Sequence, residues 1–209
     1  EVYGAIGETM QQWGEYGPDM PYISKALAIA EEEGDLKRVG EFLQLMVMHA
    51  GGVGRYDETR EYIDRARAIA EAAGDAALLC QLRRAEALEL LFQEDYEGAL
   101  EVNLEAINEA RRHGLEEIEL IMTHNVADAH LQLGNLPEAI YFFDESLRRA
   151  QEVGFDRLAE ANEMFIGFIE AAHLGTDSGF DRLQRAIRSG RRSGRPWNTT
   201  QGYQLLGRA

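Results

Sequence analysis

Two side chains near the middle of the chain have the types and the spacing of a metal-binding pair. His124 and Asp128 are four residues apart, which places both on one face of a helix, and imidazole and carboxylate groups are ordinary zinc ligands. His130 is the nearest further ligand type, but its spacing puts it on a different face, and no third ligand converges with the pair. We therefore predict no metal site and interpret the pair as the polar edge of a groove.

The sequence gives equally little support for nucleophilic catalysis. Cys80 is the single cysteine and lies among Leu78, Leu79 and Leu82, surroundings that are typical of a buried and unreactive thiol. The chain has no HExxH, phosphate-loop, GxSxG or kinase signature. Because no nucleophile and base converge, we predict that the protein is not an enzyme and binds no cofactor.

The composition excludes several further classes of function. The 209 residues carry a formal net charge of −16, which argues against general nucleic-acid binding. No apolar run approaches the roughly 18 residues of a membrane span, and the N-terminal residues do not resemble a signal peptide. A single cysteine excludes an intrachain disulfide framework. We predict a cytoplasmic protein whose partners are neither nucleic acids nor membranes.

The chain is organised by a period of 40 residues, and internal repeats of this length are typical of solenoid folds. Several columns of glycine, alanine and tyrosine stay in phase, and the clearest column contains Gly34, Gly74, Gly114, Gly154 and Gly194. Helical periodicity fills the segments between these glycines. The period predicts repeats at residues 1–34, 35–74, 75–114, 115–154 and 155–194, with a partial sixth at 195–209.

Each repeat is predicted to form an antiparallel pair of helices. The apolar face of one pair remains open until the next pair covers it, and small residues let neighbouring helices approach closely. Stacked pairs of this kind form an α-solenoid. The predicted fold is therefore all-α, with about five helix pairs and a partial sixth in a single domain over residues 1–209. Neither end has the polar capping helix that a solenoid needs, so we expect a fragment of a longer protein.

The fourth repeat resembles the tetratricopeptide repeat (TPR) family. The residues that carry the resemblance are Ala127, Leu133, Gly134, Leu136, Ala139, Phe143 and Ser146, and the second and third repeats match in part. The period of 40 residues is similar to the longer variety found in bacterial regulatory proteins. The resemblance implies a right-handed superhelix whose inner groove is lined by the first helix of each pair. It implies a scaffold for binding proteins or peptides, without indicating which partner is bound.

The groove positions of the TPR family provide the candidate binding site. In the second to fifth repeats these positions combine an apolar strip with a few polar groups, and they are Gln44, Met48, Arg84, Leu88, Leu91, Phe92, His124, Asn125, Asp128, Leu131, Met164 and Phe168. An exposed apolar strip of this kind suits an amphipathic helix or an extended peptide. Because the sequence leaves the phase of each helix open, the alternative is that the apolar members belong to the core.

Two charged residues interrupt an apolar column in the third repeat. Arg83 and Glu86 occupy positions that hold Leu43 and Met46 in the second repeat. Residues three apart are neighbours on a helix surface, so we expect Arg83 and Glu86 to form an ion pair with each other. The alternative is a rotated helix.

The turn of the fifth repeat also departs from the pattern. Residues 175–179 are Gly-Thr-Asp-Ser-Gly and lack the aromatic residue that follows the turn in earlier repeats. We expect this loop to be longer or looser than its equivalents.

Charge is distributed unevenly along the chain. Residues 175–209 contain seven arginines and two aspartates, a local charge of +5. Arginines recur every three or four residues on the last full helix, at Arg182, Arg185, Arg188, Arg192 and Arg195. This basic stripe is either a solvated helix face or a contact for an acidic partner, such as the acidic repeats of a second copy.

These patterns support three hypotheses about function. The first is a non-catalytic scaffold that binds a protein or peptide within a larger bacterial regulatory or signalling protein. The second is a sensing module, in which a ligand or signal peptide changes the curvature of the solenoid and so controls an attached effector domain. The third is self-assembly through exposed solenoid ends.

Overall fold

The computed structural model describes residues 20–194 and 196–209, and every regular element in these ranges is helical. The helices are α1 (Met20–Glu33), α2 (Leu36–Gly52), α3 (Tyr56–Ala73), α4 (Ala76–Phe92), α5 (Tyr96–Arg112), α6 (Glu116–Gln132), α7 (Leu136–Glu152), α8 (Asp156–Phe168), α9 (Asp177–Arg192) and α10 (Pro196–Arg208). None of these helices combines the length and the apolar content that crossing a bilayer would require.

The helices stack as an α-solenoid. Helices α2, α4, α6, α8 and α10 begin at residues 36, 76, 116, 156 and 196, and each packs against its neighbours along the chain. Contacts also join α2 to α4, α4 to α6 and α8 to α10, so the first helices of these pairs lie side by side. The predicted all-α solenoid of helix pairs is confirmed.

Left-handed residues and short side-chain caps separate the helices. Gly74 ends α3 with a φ of +66°, and the Asp75 carboxylate then accepts a hydrogen bond from the Leu78 N–H at 3.0 Å to begin α4. Glycine takes this backbone conformation without the steric cost of a Cβ. Glu94 has the same conformation, with a φ of +61°, at the position that corresponds to Gly54 and Gly134 in the second and fourth repeats, so the turn after α4 forms without a glycine.

The turn of the fifth repeat is well bonded. Helix α9 begins at residue 177, one residue later than the 40-residue period predicts, and the extra residue lies in a π-helical turn, Ile169–His173, that extends α8. Thr176 then begins α9, because its hydroxyl donates to the Glu170 carbonyl at 3.0 Å and accepts from the Gly179 N–H at 3.3 Å. The expectation of a longer or looser loop is wrong, since the inserted residue lies within the helix.

Arg83 and Glu86 form ion pairs with the helices on either side of α4. Arg83 lies 3.4 Å from a carboxylate oxygen of Glu105 and 3.3 Å from one of Glu109, both on α5. Glu86 pairs with Arg67 on α3. The predicted pairing of Arg83 with Glu86 is wrong, because the two side chains diverge toward different neighbouring helices, each of which supplies an opposite charge.

A buried carboxylate joins three helices in the middle of the solenoid. Glu119 on α6 accepts hydrogen bonds from Arg149 on α7 at 2.6 Å and from Arg111 on α5 at 2.9 Å, and its side chain is only 6% exposed. Burial raises the pKa of Glu119, but the hydrogen bonds and charges of Arg149 and Arg111 outweigh it and hold the pKa below its ordinary value.

Replacing Glu119 with Gln is expected to lower the free energy of unfolding by about 2 kcal/mol at pH 7, because two arginines lose a shared buried partner. A carboxylate whose pKa is lowered in the folded state stabilises the fold at pH values above its unfolded-state pKa of about 4.3. This stabilisation is lost as the pH falls through the folded-state pKa. The difference in the free energy of unfolding between wild type and Glu119→Gln should therefore become smaller in acid. Urea denaturation followed by circular dichroism measures it.

Glu145→Gln is the matched control, because it changes the net charge equally. Glu145 pairs with Arg148 at 3.0 Å on an exposed surface, and such pairs contribute at most about 1 kcal/mol. Equal losses in the two variants would contradict a special role for Glu119.

Candidate functional site

The first helices of successive pairs share a face of half-buried side chains, here called the inner face. Its residues are Gln44 and Met48 on α2, Arg84, Leu88 and Leu91 on α4, and His124, Asp128 and Leu131 on α6. Their spacing of four, then three residues places each set on one side of its helix. Eight of the predicted groove residues therefore lie on a common, partly exposed surface.

Apolar members of the inner face are attached to the core beneath them. Met48 packs against the apolar cluster that contains Leu82 and Ala85, and Leu131 packs against the cluster around α8. One contact crosses from α4 to α2, where a guanidinium nitrogen of Arg84 lies 3.5 Å from the Met48 sulfur. The inner face is thus a surface supported by packed side chains on several helices.

Three predicted groove residues are buried instead. Asn125 points away from the inner face, toward Asn103 on α5, with 3.5 Å between the donor nitrogen and the acceptor oxygen. Met164 and Phe168 on α8 belong to the largest core cluster. Helix α10 packs on α8 there, and the Arg208 guanidinium covers the Phe168 ring at 5.3 Å from its centroid. The side chain of Phe92 lies outside the described part of the structure.

His124 is held by a directed chain of hydrogen bonds. The Ser146 hydroxyl donates to the Leu120 carbonyl at 3.2 Å, so its oxygen accepts from the Asn162 side-chain N–H at 2.8 Å. The Asn162 amide oxygen is therefore turned toward Nδ1 of His124, 2.8 Å away. An amide oxygen only accepts, so Nδ1 of His124 carries the proton and Nε2 carries the lone pair.

The surroundings of His124 favour the neutral imidazole. The Phe143 and Phe165 rings meet it edge-on, with centroids 5.2 Å and 5.3 Å away. Burial lowers the pKa of His124, and the opposing effects of the Asn162 hydrogen bond and the Asp128 charge only partly offset it. At neutral pH the inner face therefore presents an uncharged imidazole beside the Asp128 carboxylate.

Stability is expected to fall with decreasing pH through His124. In the unfolded state the imidazole has a pKa of about 6.5, and in the folded state its pKa is lower. Protonation therefore favours the unfolded state between these two pKa values. His124→Gln should therefore reduce the loss of stability between pH 7 and the folded-state pKa of His124. Denaturation midpoints measured across this range test it.

His173→Gln is the matched control, since His173 is exposed. An unchanged pH slope in His124→Gln, or an equal change in the control, would contradict a neutral His124 with a lowered pKa.

The three other residues considered for chemistry, Asp128, His130 and Cys80, are all in contact with the protein or buried in it. The ring of His130 stacks on Phe142 with centroids 5.5 Å apart, while Asp128 accepts a hydrogen bond from Gln132 at 3.0 Å. Within the described ranges, no group of three His, Cys, Asp or Glu side chains has the geometry of a metal site. Cys80 is buried, and burial raises the pKa of its thiol.

Two residues of the inner face were missed by sequence reasoning. Gln81 on α4 and Ile121 on α6 are half-buried and lie one turn before Arg84 and His124 on the same face. The family positions omit this column, although the helical spacing of three residues would have included it.

The predicted basic stripe divides into two sets of arginines. Arg182 is half-buried and forms ion pairs with Glu163 at 3.0 Å and Glu170 at 3.2 Å. Arg185, Arg188 and Arg192 are exposed, and Arg195 lies outside the described residues. The stripe is therefore partly structural, because Arg182 ties α9 to α8.

The fold is that of a TPR-like helical repeat protein, and two solved structures illustrate it. The structure of Rap protein complexed with competence and sporulation factor superposes with a TM-score of 0.77 and 17% identity, covering 98% of this chain and 61% of that one. A signal transduction ATPase with numerous domains (STAND) with a tetratricopeptide repeat sensor, from Pyrococcus horikoshii, has a TM-score of 0.66 and 14% identity, covering 97% and 33%. This chain therefore spans less than two thirds of either protein. No protein-family model and no curated protein sequence matches it.

Proposed function

We propose that this chain is a non-catalytic scaffold that binds a peptide or protein segment on its inner face, within a larger regulatory or signalling protein. The observation that carries the proposal is the continuous set of half-buried side chains on α2, α4 and α6. Large apolar side chains that are supported from below and left partly exposed are typical of interaction surfaces.

The chemistry of the inner face favours a segment with apolar anchors and polar groups at its margins. Met48, Leu88 and Leu131 supply contact area on the first helices of three successive pairs, so an occupant must extend across these helices. Arg84 and Asp128 add one charge of each sign. An amphipathic helix or an extended peptide satisfies both requirements, because each can present alternating apolar and polar groups to a groove.

The neighbouring structures support this proposal at the level of the fold. The Rap protein structure contains a bound factor, and the STAND protein uses its TPR region as a sensor. The second of these favours one further candidate, in which binding on the inner face changes the curvature of the solenoid and controls an attached domain. Both candidates place the ligand on the same surface and differ in the consequence of binding.

The test is a selection of peptides from a random display library on the immobilised wild-type chain. Selected peptides are then measured for affinity to Leu88→Glu plus Leu131→Glu, which places two carboxylates on the inner face. The expected result is a loss of affinity of at least about tenfold, because burying an unpaired carboxylate against an apolar ligand is costly.

The control variant is Leu104→Glu plus Tyr141→Glu, which adds the same charge to the second helices of the pairs. Leu104 and Tyr141 are 41% and 64% exposed. Helical circular dichroism spectra confirm that each variant is folded. Equal affinities for both double variants, or a failure to select any peptide, would reject the inner face as the binding surface.

A further inference from the structure

Two hydrogen-bond acceptors lie one helical turn apart on the inner face. The Asn162 amide oxygen, 2.8 Å away, holds the proton of His124 on Nδ1, so the accepting lone pair is on Nε2. The Asp128 carboxylate follows four residues later on the same side of α6. Neither Nε2 nor the carboxylate donates at neutral pH, so the α6 part of the inner face offers this pair as acceptors alone.

The protein leaves much of the accepting capacity of this pair unused. Nε2 of His124 is accessible to solvent and has no hydrogen-bond partner within the described ranges. Asp128 accepts one hydrogen bond, from the exposed Gln132 at 3.0 Å, and no described arginine or lysine pairs with it. A carboxylate has about four lone-pair sites, so Asp128 can accept further hydrogen bonds from a ligand.

The positive charge of the inner face lies elsewhere. Arg84 on α4 is turned toward α2, where its guanidinium nitrogen lies 3.5 Å from the Met48 sulfur. The negative charge of Asp128 is therefore not neutralised by the cation of the neighbouring first helix, and it remains to attract a cation from a ligand.

The spacing of the two acceptors suits a single donor group with several N–H bonds. Residues four apart on a helix have Cβ atoms about 5–6 Å apart, and His124 and Asp128 bond to other residues instead of to each other. The charge of Asp128 nevertheless opposes the lowering of the His124 pKa, so the two groups are close enough to act on one ligand group. An ammonium or guanidinium between them can donate to both, since each hydrogen bond spans about 2.9 Å.

Apolar side chains flank the acceptor pair. Leu131 lies one turn beyond Asp128 on α6, and Leu88 lies on the inner face of α4. Lysine and arginine carry their charge at the end of an aliphatic stem that packs on apolar surface. Such a side chain therefore matches both the leucines and the acceptors.

We propose that His124 and Asp128 form a subsite of the inner face that selects a segment with a lysine or arginine side chain. The inference rests on the proposed function and adds the chemistry of the ligand. Asp128 supplies the opposite charge, and Nε2 of His124 supplies the second acceptor. An acidic side chain at this position is repelled by Asp128, and an apolar one leaves both acceptors without a donor when water is excluded.

The first measurement is the composition of peptides that the immobilised chain selects from a random display library, at an ionic strength of about 0.15 M to screen non-specific attraction. Wild type is expected to enrich lysine or arginine at one fixed position. Asp128→Asn is expected to lose this enrichment. Asp144→Asn is the matched control, because it removes the same charge from an exposed position on α7, and it is expected to keep the enrichment.

The second measurement compares one selected peptide with a version that has norleucine in place of the cationic residue. Norleucine keeps an aliphatic stem but has neither charge nor N–H donors. The cationic peptide is expected to bind wild type at least about tenfold more tightly, because hydrogen bonds between charged groups are the strong ones.

Two single variants assign this difference to the subsite. Asp128→Asn is expected to weaken binding of the cationic peptide at least about fivefold, and His124→Asn about threefold. His124→Asn keeps an N–H donor at the position of Nδ1 and removes only the Nε2 acceptor. Both variants are expected to change binding of the norleucine peptide less than about twofold, and helical circular dichroism spectra confirm that each is folded.

Several outcomes would overturn the subsite. They are peptides selected on the inner face without lysine or arginine enrichment, equal weakening by Asp144→Asn and Asp128→Asn, and equal effects of the variants on both peptides. A glutamine version that binds as tightly as the cationic peptide would exclude the role of charge. Each of these results leaves the inner face as a binding surface, whereas the proposed function itself fails only in the test with Leu88→Glu plus Leu131→Glu or when no peptide is selected.

Discussion

Gly179→Ala is expected to destabilise the last helix pairs by about 3 kcal/mol or more, because the added methyl group has no space. A Cβ on Gly179 would come within 2.7 Å of the Glu170 carbonyl carbon and closer still to the backbone nitrogen of Ala171. Both atoms belong to the backbone of the π-helical turn, so no side-chain rotation relieves the overlap. The α8 and α9 backbones must separate, and the cap formed by Thr176 must open with them.

Hydrogen–deuterium exchange is the measurement, because a solenoid is stabilised mainly by contacts between neighbouring repeats and can open locally. Amides of α8, α9 and α10 are expected to exchange faster in Gly179→Ala, while those of α2 and α3 keep their protection. Gly207→Ala is the control, because a Cβ there meets no atom within 4 Å. Unchanged protection of α8 and α9 would contradict the close approach of the two helices.

Phe143→Ala is expected to lower the free energy of unfolding by about 4 kcal/mol, the range for a fully buried aromatic side chain. Phe143 is inaccessible to solvent and stacks on Phe165, with ring centroids 5.0 Å apart. Its ring also covers one side of His124. The cavity left behind would therefore weaken the core of the fourth repeat and hydrate the imidazole of the inner face.

Tyr141→Ala is the matched control, because it removes an aromatic ring from the same helix at a position that is 64% exposed. Surface substitutions of this kind change stability by about 0.5 kcal/mol or less. Urea denaturation of the two variants, together with the pKa of His124 from NMR titration, tests both consequences. Equal stability losses, or a His124 pKa that does not rise in Phe143→Ala, would contradict the described packing.

The helix pairs could be predicted because their determinants are local. A glycine column marks the left-handed residue that ends a helix, and apolar spacing marks the buried face within each helix. The turn at Glu94 shows the limit of this reasoning, since it forms without the glycine. Two flanking helices of the right length are enough to impose the turn when the cost of one unfavourable φ is small.

The candidate site could be predicted in part. The groove positions that the TPR resemblance implies predict Arg84, Leu88, His124 and Asp128 on one face, and these residues are half-buried in the structure. The burial of Phe168 could not be predicted, because it depends on how α10 packs across α8.

The ion-pair partners of charged residues could not be predicted from the sequence either. Arg83 finds its carboxylates 22 and 26 residues along the chain, on α5. Arg182 likewise forms ion pairs with Glu163 and Glu170, which lie 19 and 12 residues earlier in the chain. Interactions between helices that are distant in sequence decide these features, and local spacing does not encode them.

The inner face is the surface that we propose to bind a peptide or protein segment. Methyl NMR spectra of the chain, recorded with and without a peptide selected on the wild type, test it most directly. We predict shift changes for methyl groups of Met48, Leu88, Leu91 and Leu131, with little change at Leu104 and Ile29 on the second helices. Changes confined to Leu104 and Ile29, with the inner-face methyl groups unmoved at saturation, would contradict it.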